Sequence, residues 1–198
     1  MTGLWIAVGV LGALLIAGWA AGFLLLAMGR LHLDLGWGRS LHELGPIEFE
    51  IAAPRDLVFK VISAPYLTHA PGSHKIEVLA RRENLAVAVH HTKVHFYEAR
   101  TVEVVEFDPP SRVDFRHLTG PVPYAVERFE LGETEGRTAL RYGGEVGIDF
   151  FALGRLAGRY WVRPQWERAV RESLEDVKER AEHLERHLRS RRSNQPAA

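Results

Sequence analysis

The sequence has no cysteine, which excludes disulfides, thiolate metal sites and a cysteine nucleophile. It has no net charge either: 25 basic and 25 acidic side chains cancel, which argues against nucleic acid as a partner. A third absence is local. The first 29 residues hold no Asp, Glu, Lys or Arg, and the remaining 169 carry all fifty charges. This split excludes a uniform soluble globule and a polytopic membrane protein. It leaves one apolar N-terminal segment and one globular domain long enough to bury a core.

Gly3 to Met28 is a run of 26 residues without charge, Asn or Gln. As a helix it is about 39 Å long, against a hydrocarbon core of about 30 Å, which predicts a transmembrane helix over 3–28. A cleaved signal peptide would need a basic start and a shorter apolar core, and Met1-Thr2-Gly3 offers no Lys or Arg. Arg30 and Arg39 follow the span, so the positive-inside rule predicts a single-pass membrane protein with a cytoplasmic domain. Gly18 and Gly22 form a GxxxG pair, and Ala13, Ala17 and Ala21 repeat the spacing. Such a face would support a weak homodimer through the membrane helix, although small residues are common in such helices without one.

Residues 29–45 mix Leu with Gly and charge and read as a juxtamembrane linker, with Trp37 and the leucines suited to the membrane interface. Ile47, Phe49 and Ile51 then alternate with Glu48 and Glu50, the mark of a half-buried strand. Pro54 opens a short helix with Leu57, Val58, Val61 and Ile62 as its stripe, and Pro65 and Pro71-Gly72 bracket a second helical piece. From His74 to Ile148 six β-rich segments follow, separated by Glu83-Asn84, Asp108-Pro109-Pro110, Gly120-Pro121 and Glu133–Gly136, which predicts an antiparallel meander. Gly143-Gly144 inside the last segment predicts a bulge or bend. From Pro164, apolar residues at Trp166, Val170, Leu174, Val177, Ala181, Leu184 and Leu188 put one stripe on a long helix. The domain is expected over 46–190, with 191–198 as a disordered tail.

This order, with the phrases IEFEIAAPRDLVFKVISAPY (47–66), VEVVEFDPPSRVDFRHLTGP (102–121) and VERFELGETEGRTALRY (126–142), resembles the START-like, or Bet v 1-like (SRPBCC), superfamily. The nearest subgroup in character is the polyketide cyclase/dehydrase-like proteins. The resemblance implies an α+β helix-grip fold: a seven-stranded antiparallel sheet around a long C-terminal helix, two short helices after strand 1, and an apolar cavity between sheet and helix. It implies a hydrophobic small-molecule ligand such as a lipid, quinone or polyketide. The superfamily has no shared catalytic set, so membership does not by itself define an activity.

Period-2 parity puts Val113, Phe115 and His117 on one face, Glu127, Phe129 and Leu131 on another, and Leu140 with Tyr142 on a third. If those faces point inward, Phe115, His117, Glu127, Phe129, Leu140 and Tyr142 bind the ligand. His117 and Glu127 flank one connection and can meet across strands, either as an acid–base pair or as an internal structural pair. His90, His91 and His95 invite a metal, but His90 and His91 face opposite sides and His91 and His95 lie about 13 Å apart along a strand. No metal and no other cofactor is expected.

Phe150 to Arg163 carries Arg155, Arg159 and Arg163 at steps of four among Phe151, Tyr160, Trp161 and leucines, with no acid after Asp149. One reading is a membrane interface, formed by Phe151, Arg155, Arg159, Tyr160, Trp161 and Arg163 against anionic lipid. The other is a cavity wall with a solvated arginine face. The sequence carries no nucleophile motif and no cofactor loop, so it leans toward binding or transfer of a hydrophobic molecule at a membrane rather than catalysis. The alternative is a cyclase or aromatase acting on a polyketide-like substrate.

Overall fold

Without a charge to solvate, Thr2–Ala27 forms one continuous helix, α1, whose Trp5–Ala27 stretch is long and apolar enough to cross a membrane. The computed structural model describes residues 2–67, 75–94 and 97–193. Seven strands follow α1: β1 (Ser40–Ile51), β2 (Ile76–Arg82), β3 (Leu85–Val94), β4 (Tyr97–Asp108), β5 (Arg112–Thr119), β6 (Tyr124–Thr134) and β7 (Arg137–Ile148). Helix α2 (Arg55–Leu67) lies between β1 and β2, while α3 (Phe151–Ala157), a π-helical turn at Gly158–Val162 and α4 (Arg163–Ser193) close the chain.

The strands form one antiparallel sheet in the order β1-β7-β6-β5-β4-β3-β2. Turn chemistry sets this meander. Glu135 and Gly136 both have positive φ, at 53° and 72°, the conformation a two-residue hairpin needs to match strand twist. Ser111 N donates to Asp108 O across the β4–β5 turn. The predicted seven-stranded helix-grip architecture is therefore the observed one.

Three local features differ from the sequence pattern. β1 starts at Ser40, because Ser40–Leu44 pairs with Gly144–Ile148 in a segment whose side chains do not alternate by polarity. The bulge lies on β1, between Leu44 and Ile47, opposite Gly143 rather than within β7, whose register with β6 is unbroken. Pro65 does not end the first helix, which continues to Leu67, and most of the expected second helical piece lies outside the described residues.

The core sits between the sheet and α2 with α4. Val58, Phe59, Val105, Val113, Leu140, Tyr142, Leu174 and Ala181 are buried there, each large aliphatic contributing about 1.5–3 kcal/mol. The α4 stripe packs inward through Trp166, Val170, Leu174, Val177 and Ala181, whereas Leu184 and Leu188 remain exposed.

The link from α1 is fastened to the domain at one end of the sheet. Arg100 N donates to Met28 O at 2.9 Å, and Phe23 stacks on Trp161 with ring centroids 5.4 Å apart. Asp149, its side chain only 3% exposed, accepts hydrogen bonds from Leu35 N, Gly36 N and Arg39. Phe150 N and Phe151 N donate to Trp37 O and Gly38 O. This is the end where β1, β4 and β6 begin and β5 and β7 finish.

Candidate functional site

Strand alternation carries a group of polar side chains to the inner face of the sheet. On β4, Thr101, Glu103, Val105 and Phe107 are buried in succession. On β5 the same parity gives Val113, Phe115 and His117, and Glu103 stands directly opposite His117 in the β4–β5 register. On β6, Glu127 pairs with Phe115, and on β7 Tyr142 pairs with Phe129. Gly144 makes room for Glu127: a Cβ there would lie 2.5 Å from Val126 O and 3.1 Å from Glu127 Cα.

His117 Nε2 is 3.2 Å from Glu103 Oε1 and 3.3 Å from Glu127 Oε2. Glu127 Oε1 accepts from Tyr142 Oη at 2.7 Å and from Trp166 Nε1 at 2.8 Å. Glu103 accepts from Thr101 Oγ1, and its Oε2 lies 3.5 Å from His90 Nδ1. His90 Nε2 and Tyr66 Oη are 3.0 Å apart, which extends the network to α2. The side chains of Glu103, His117 and Glu127 are 5%, 3% and 10% exposed. Phe115, Phe129 and Tyr142 enclose the group in edge and tilted ring contacts, and Trp166 lies 5.1 Å from the His117 ring.

Burial alone would lower the His117 pKa, but the charge of Glu103 and the hydrogen bond and charge of Glu127 outweigh it and raise the imidazole above its ordinary value. Burial likewise pushes the Glu127 carboxyl up, and the contacts from His117, Trp166 and Tyr142 bring it below the usual carboxylate range. His90 is lowered by burial. Tyr142 is pushed far up, first by burial and then by Glu127.

Phe115, His117, Glu127, Phe129, Leu140 and Tyr142 all lie on the inner side as parity predicted, and His117 and Glu127 meet. Glu103 was missed because β4 reads TVEVVEFD, where Val102 and Val104 make the opposite face equally apolar and leave parity ambiguous. Trp166 falls on the core stripe of α4, and its spacing gives no sign that the indole N–H reaches a carboxylate. His91 is half-buried and paired with the exposed Glu98 at 2.8 Å, and His95 lies outside the described residues. Among the described residues, the donors able to hold a metal are instead Glu103, His117 and Glu127, with ligand atoms all within 4.8 Å of one another.

Phe151, Leu153, Leu156, Tyr160 and Trp161 are exposed, as are Leu31, Leu33 and Trp37, and Trp161 stacks on Phe23 of α1. Arg155 and Arg159 are exposed beside them, Arg159 over the Tyr160 ring. Arg163 differs: it is paired with Glu167 at 2.9 Å. A groove of about 700 Å³ lies elsewhere, between α2 and the C-terminal half of α4, lined by Val61, Ala64, Pro65, His183, Leu184 and others but by no member of the polar group.

A seven-stranded antiparallel sheet gripping a long C-terminal helix, with buried polar side chains among aromatic walls, defines the helix-grip class to which the START-like, Bet v 1-like proteins belong. Residues 47–182 match the family described as polyketide cyclase/dehydrase and lipid transport, and the chain is a member of that family. No protein of curated function matches it by sequence. Its fold is similar to that of TTHA0849 from Thermus thermophilus (20% identity, 71% of this chain and 97% of that chain, TM-score 0.59). It is also similar to the Zhui aromatase/cyclase from Streptomyces sp. R1128 (23% identity, 73% and 94%, TM-score 0.57). A third likeness is to the di-domain aromatase/cyclase BexL of the BE-7585A biosynthetic pathway (19% identity, 73% and 50%, TM-score 0.60).

Proposed function

We propose that this protein binds a hydrophobic small molecule between its sheet and α4 while α1 anchors it in a membrane. The observation that carries the reading is the polar group of Glu103, His117, Glu127, Tyr142 and Trp166, buried within walls of Phe115, Phe129 and Leu140. Apolar walls supply affinity by burial, and a few convergent polar atoms orient the ligand's polar end. Family membership supports a ligand of this class.

The position of the anchor supports entry from the bilayer. Glu127 lies three residues inside the start of β6 and His117 two residues inside the end of β5, about 7–10 Å below the sheet end that bears α1. With α1 inserted, Leu153, Leu156, Tyr160 and Trp161 face the headgroup layer and Arg155 and Arg159 meet anionic phosphates. A ligand entering there need not cross water. The alternative, cyclase-type catalysis on a polyketide-like substrate, draws on the same buried group and on the fold it shares with aromatase/cyclases.

The test is mass spectrometry of organic extracts from the full chain in nanodiscs of defined lipid, against empty nanodiscs. A specific amphiphile retained by the wild type and lost from Trp166→Ala supports binding. Extracts identical to empty nanodiscs, together with no uptake of fluorescent phospholipid or quinone, overturn it.

A further inference from the structure

We propose that Glu103, His117 and Glu127 form a binding site for one divalent transition-metal ion of the zinc or manganese type, with a remaining coordination position for water or a ligand oxygen. The site is the one assigned above to the ligand's polar end, but the inference concerns a different occupant and stands or falls separately.

The distances carry the argument first. A single imidazole nitrogen stands 3.2 Å from one carboxyl oxygen and 3.3 Å from another, on two different strands. One N–H can point squarely at only one of the two oxygens, and both separations sit at the long end for an N–H···O hydrogen bond. Both also fit two edges of a coordination polyhedron, since donors about 2.0–2.2 Å from one ion and about 100–109° apart are about 3.1–3.6 Å from each other, and the third edge, between the two carboxyl oxygens, lies within 4.8 Å.

Charge points the same way. Among the described residues, the ion pairs of Glu103 and Glu127 are made with histidines alone, with no lysine or arginine. An ion taking the place of the His117 Nε2 proton would face two buried carboxylates and a neutral imidazole, a charge of −2 that is costly in a dry interior and that one divalent cation cancels. One imidazole and two carboxyls form a mixed nitrogen and oxygen set, suited to zinc or manganese rather than to an all-oxygen calcium site.

The surrounding donors are arranged as supports. Tyr142 and Trp166 both donate to Glu127 Oε1, which leaves Oε2 as the oxygen directed at His117. Thr101 differs in donating to Glu103 Oε1, the very oxygen that faces His117, and so fixes the position of that oxygen. Such contacts fix the orientation of ligating carboxylates and strengthen a metal site.

The experiment uses the full chain in detergent micelles, stripped with EDTA, equilibrated with zinc or manganese chloride and desalted before metal analysis. The expected result is one ion per chain, a melting temperature that rises with added metal, and a visible absorption band with cobalt(II). Glu103→Gln and Glu127→Gln should each weaken binding at least about 10-fold. Glu98→Gln, which removes the exposed partner of His91, should leave binding unchanged. Circular dichroism checks folding, and Thr101→Val, which keeps all three donors, provides a milder variant with a smaller loss. Less than ~0.1 ion per chain in the wild type, or binding unaltered by Glu103→Gln and Glu127→Gln, overturns the proposal. Failure to take up metal in a protein that still retains an amphiphile would overturn this proposal and leave the ligand-binding reading intact.

Discussion

Trp166 Nε1 donates to Glu127 Oε1 at 2.8 Å, which ties the first turn of the long helix to the sixth strand. Tyr142 donates to the same oxygen at 2.7 Å. Trp166→Phe keeps the aromatic body and removes one donor from a buried charged acceptor, so it should destabilise the domain by about 1.5–3 kcal/mol in denaturant titration. Tyr142→Phe should cost a similar amount. Because both donors share one oxygen, the double variant should depart from additivity by at least about 0.5 kcal/mol, and strict additivity would show that the two contacts act independently.

Gly144 and Gly132 make a matched pair of tests. A Cβ at Gly144 meets Val126 O at 2.5 Å, whereas one at Gly132 has only an ordinary contact with Ala139 O at 3.7 Å. Gly144→Ala should therefore lower stability by about 1–3 kcal/mol and move Glu127. Gly132→Ala should be neutral or slightly stabilising. Equal melting temperatures for the two variants would contradict the close approach of β6 to β7 at this point.

Asp149 predicts an acid limit on the fastening of the linker. The hydrogen bond from Arg39 comes first, and with the Leu35 and Gly36 amides it holds the carboxyl below its ordinary value of 3.8 despite burial. A depressed carboxyl stabilises the folded state above its unfolded pKa and loses that contribution as pH falls through the native value. The wild type should lose the advantage below about pH 4, where it should converge on Asp149→Asn. At neutral pH the variant should be about 1.5–3 kcal/mol less stable, with faster amide exchange at Leu35 and Gly36. A constant gap between the two proteins from pH 7 to pH 2.5 would contradict this sign.

The absence of native cysteine permits single-site spin labelling of the full chain in nanodiscs. Labels at Leu153→Cys and Leu156→Cys should report lipid contact through oxygen accessibility. A label at Arg82→Cys, at the opposite end of the sheet, should report water. Replacing anionic with neutral lipid should reduce the depth at Leu153 if Arg155 and Arg159 hold phosphates. Aqueous signals at all three positions would rule out the seated orientation.

Parity along strands made His117, Glu127 and Tyr142 legible in the sequence, because β5, β6 and β7 each have one more apolar face. It failed on β4, where valines occupy both faces and only the register with His117 selects the inward one. The start of β1 was hidden for a related reason: Ser40–Leu44 owes its strand conformation to pairing with β7 rather than to its own pattern. Trp166 follows the helical period faithfully, but a period records which side is buried and says nothing of what the indole nitrogen meets there. Long-range polar contacts depend on register and helix placement, neither of which a single strand or helix encodes.

The fastening of residues 35–39 to Asp149, Phe150 and Phe151 bears on how far the domain can travel. With α1 in a bilayer, the domain is a docked head with little rotational freedom, not a bead on a string. Its range would then be set by lateral diffusion of the whole protein in the plane of that bilayer. Reaching an apposed membrane would first require the Asp149 contacts to break.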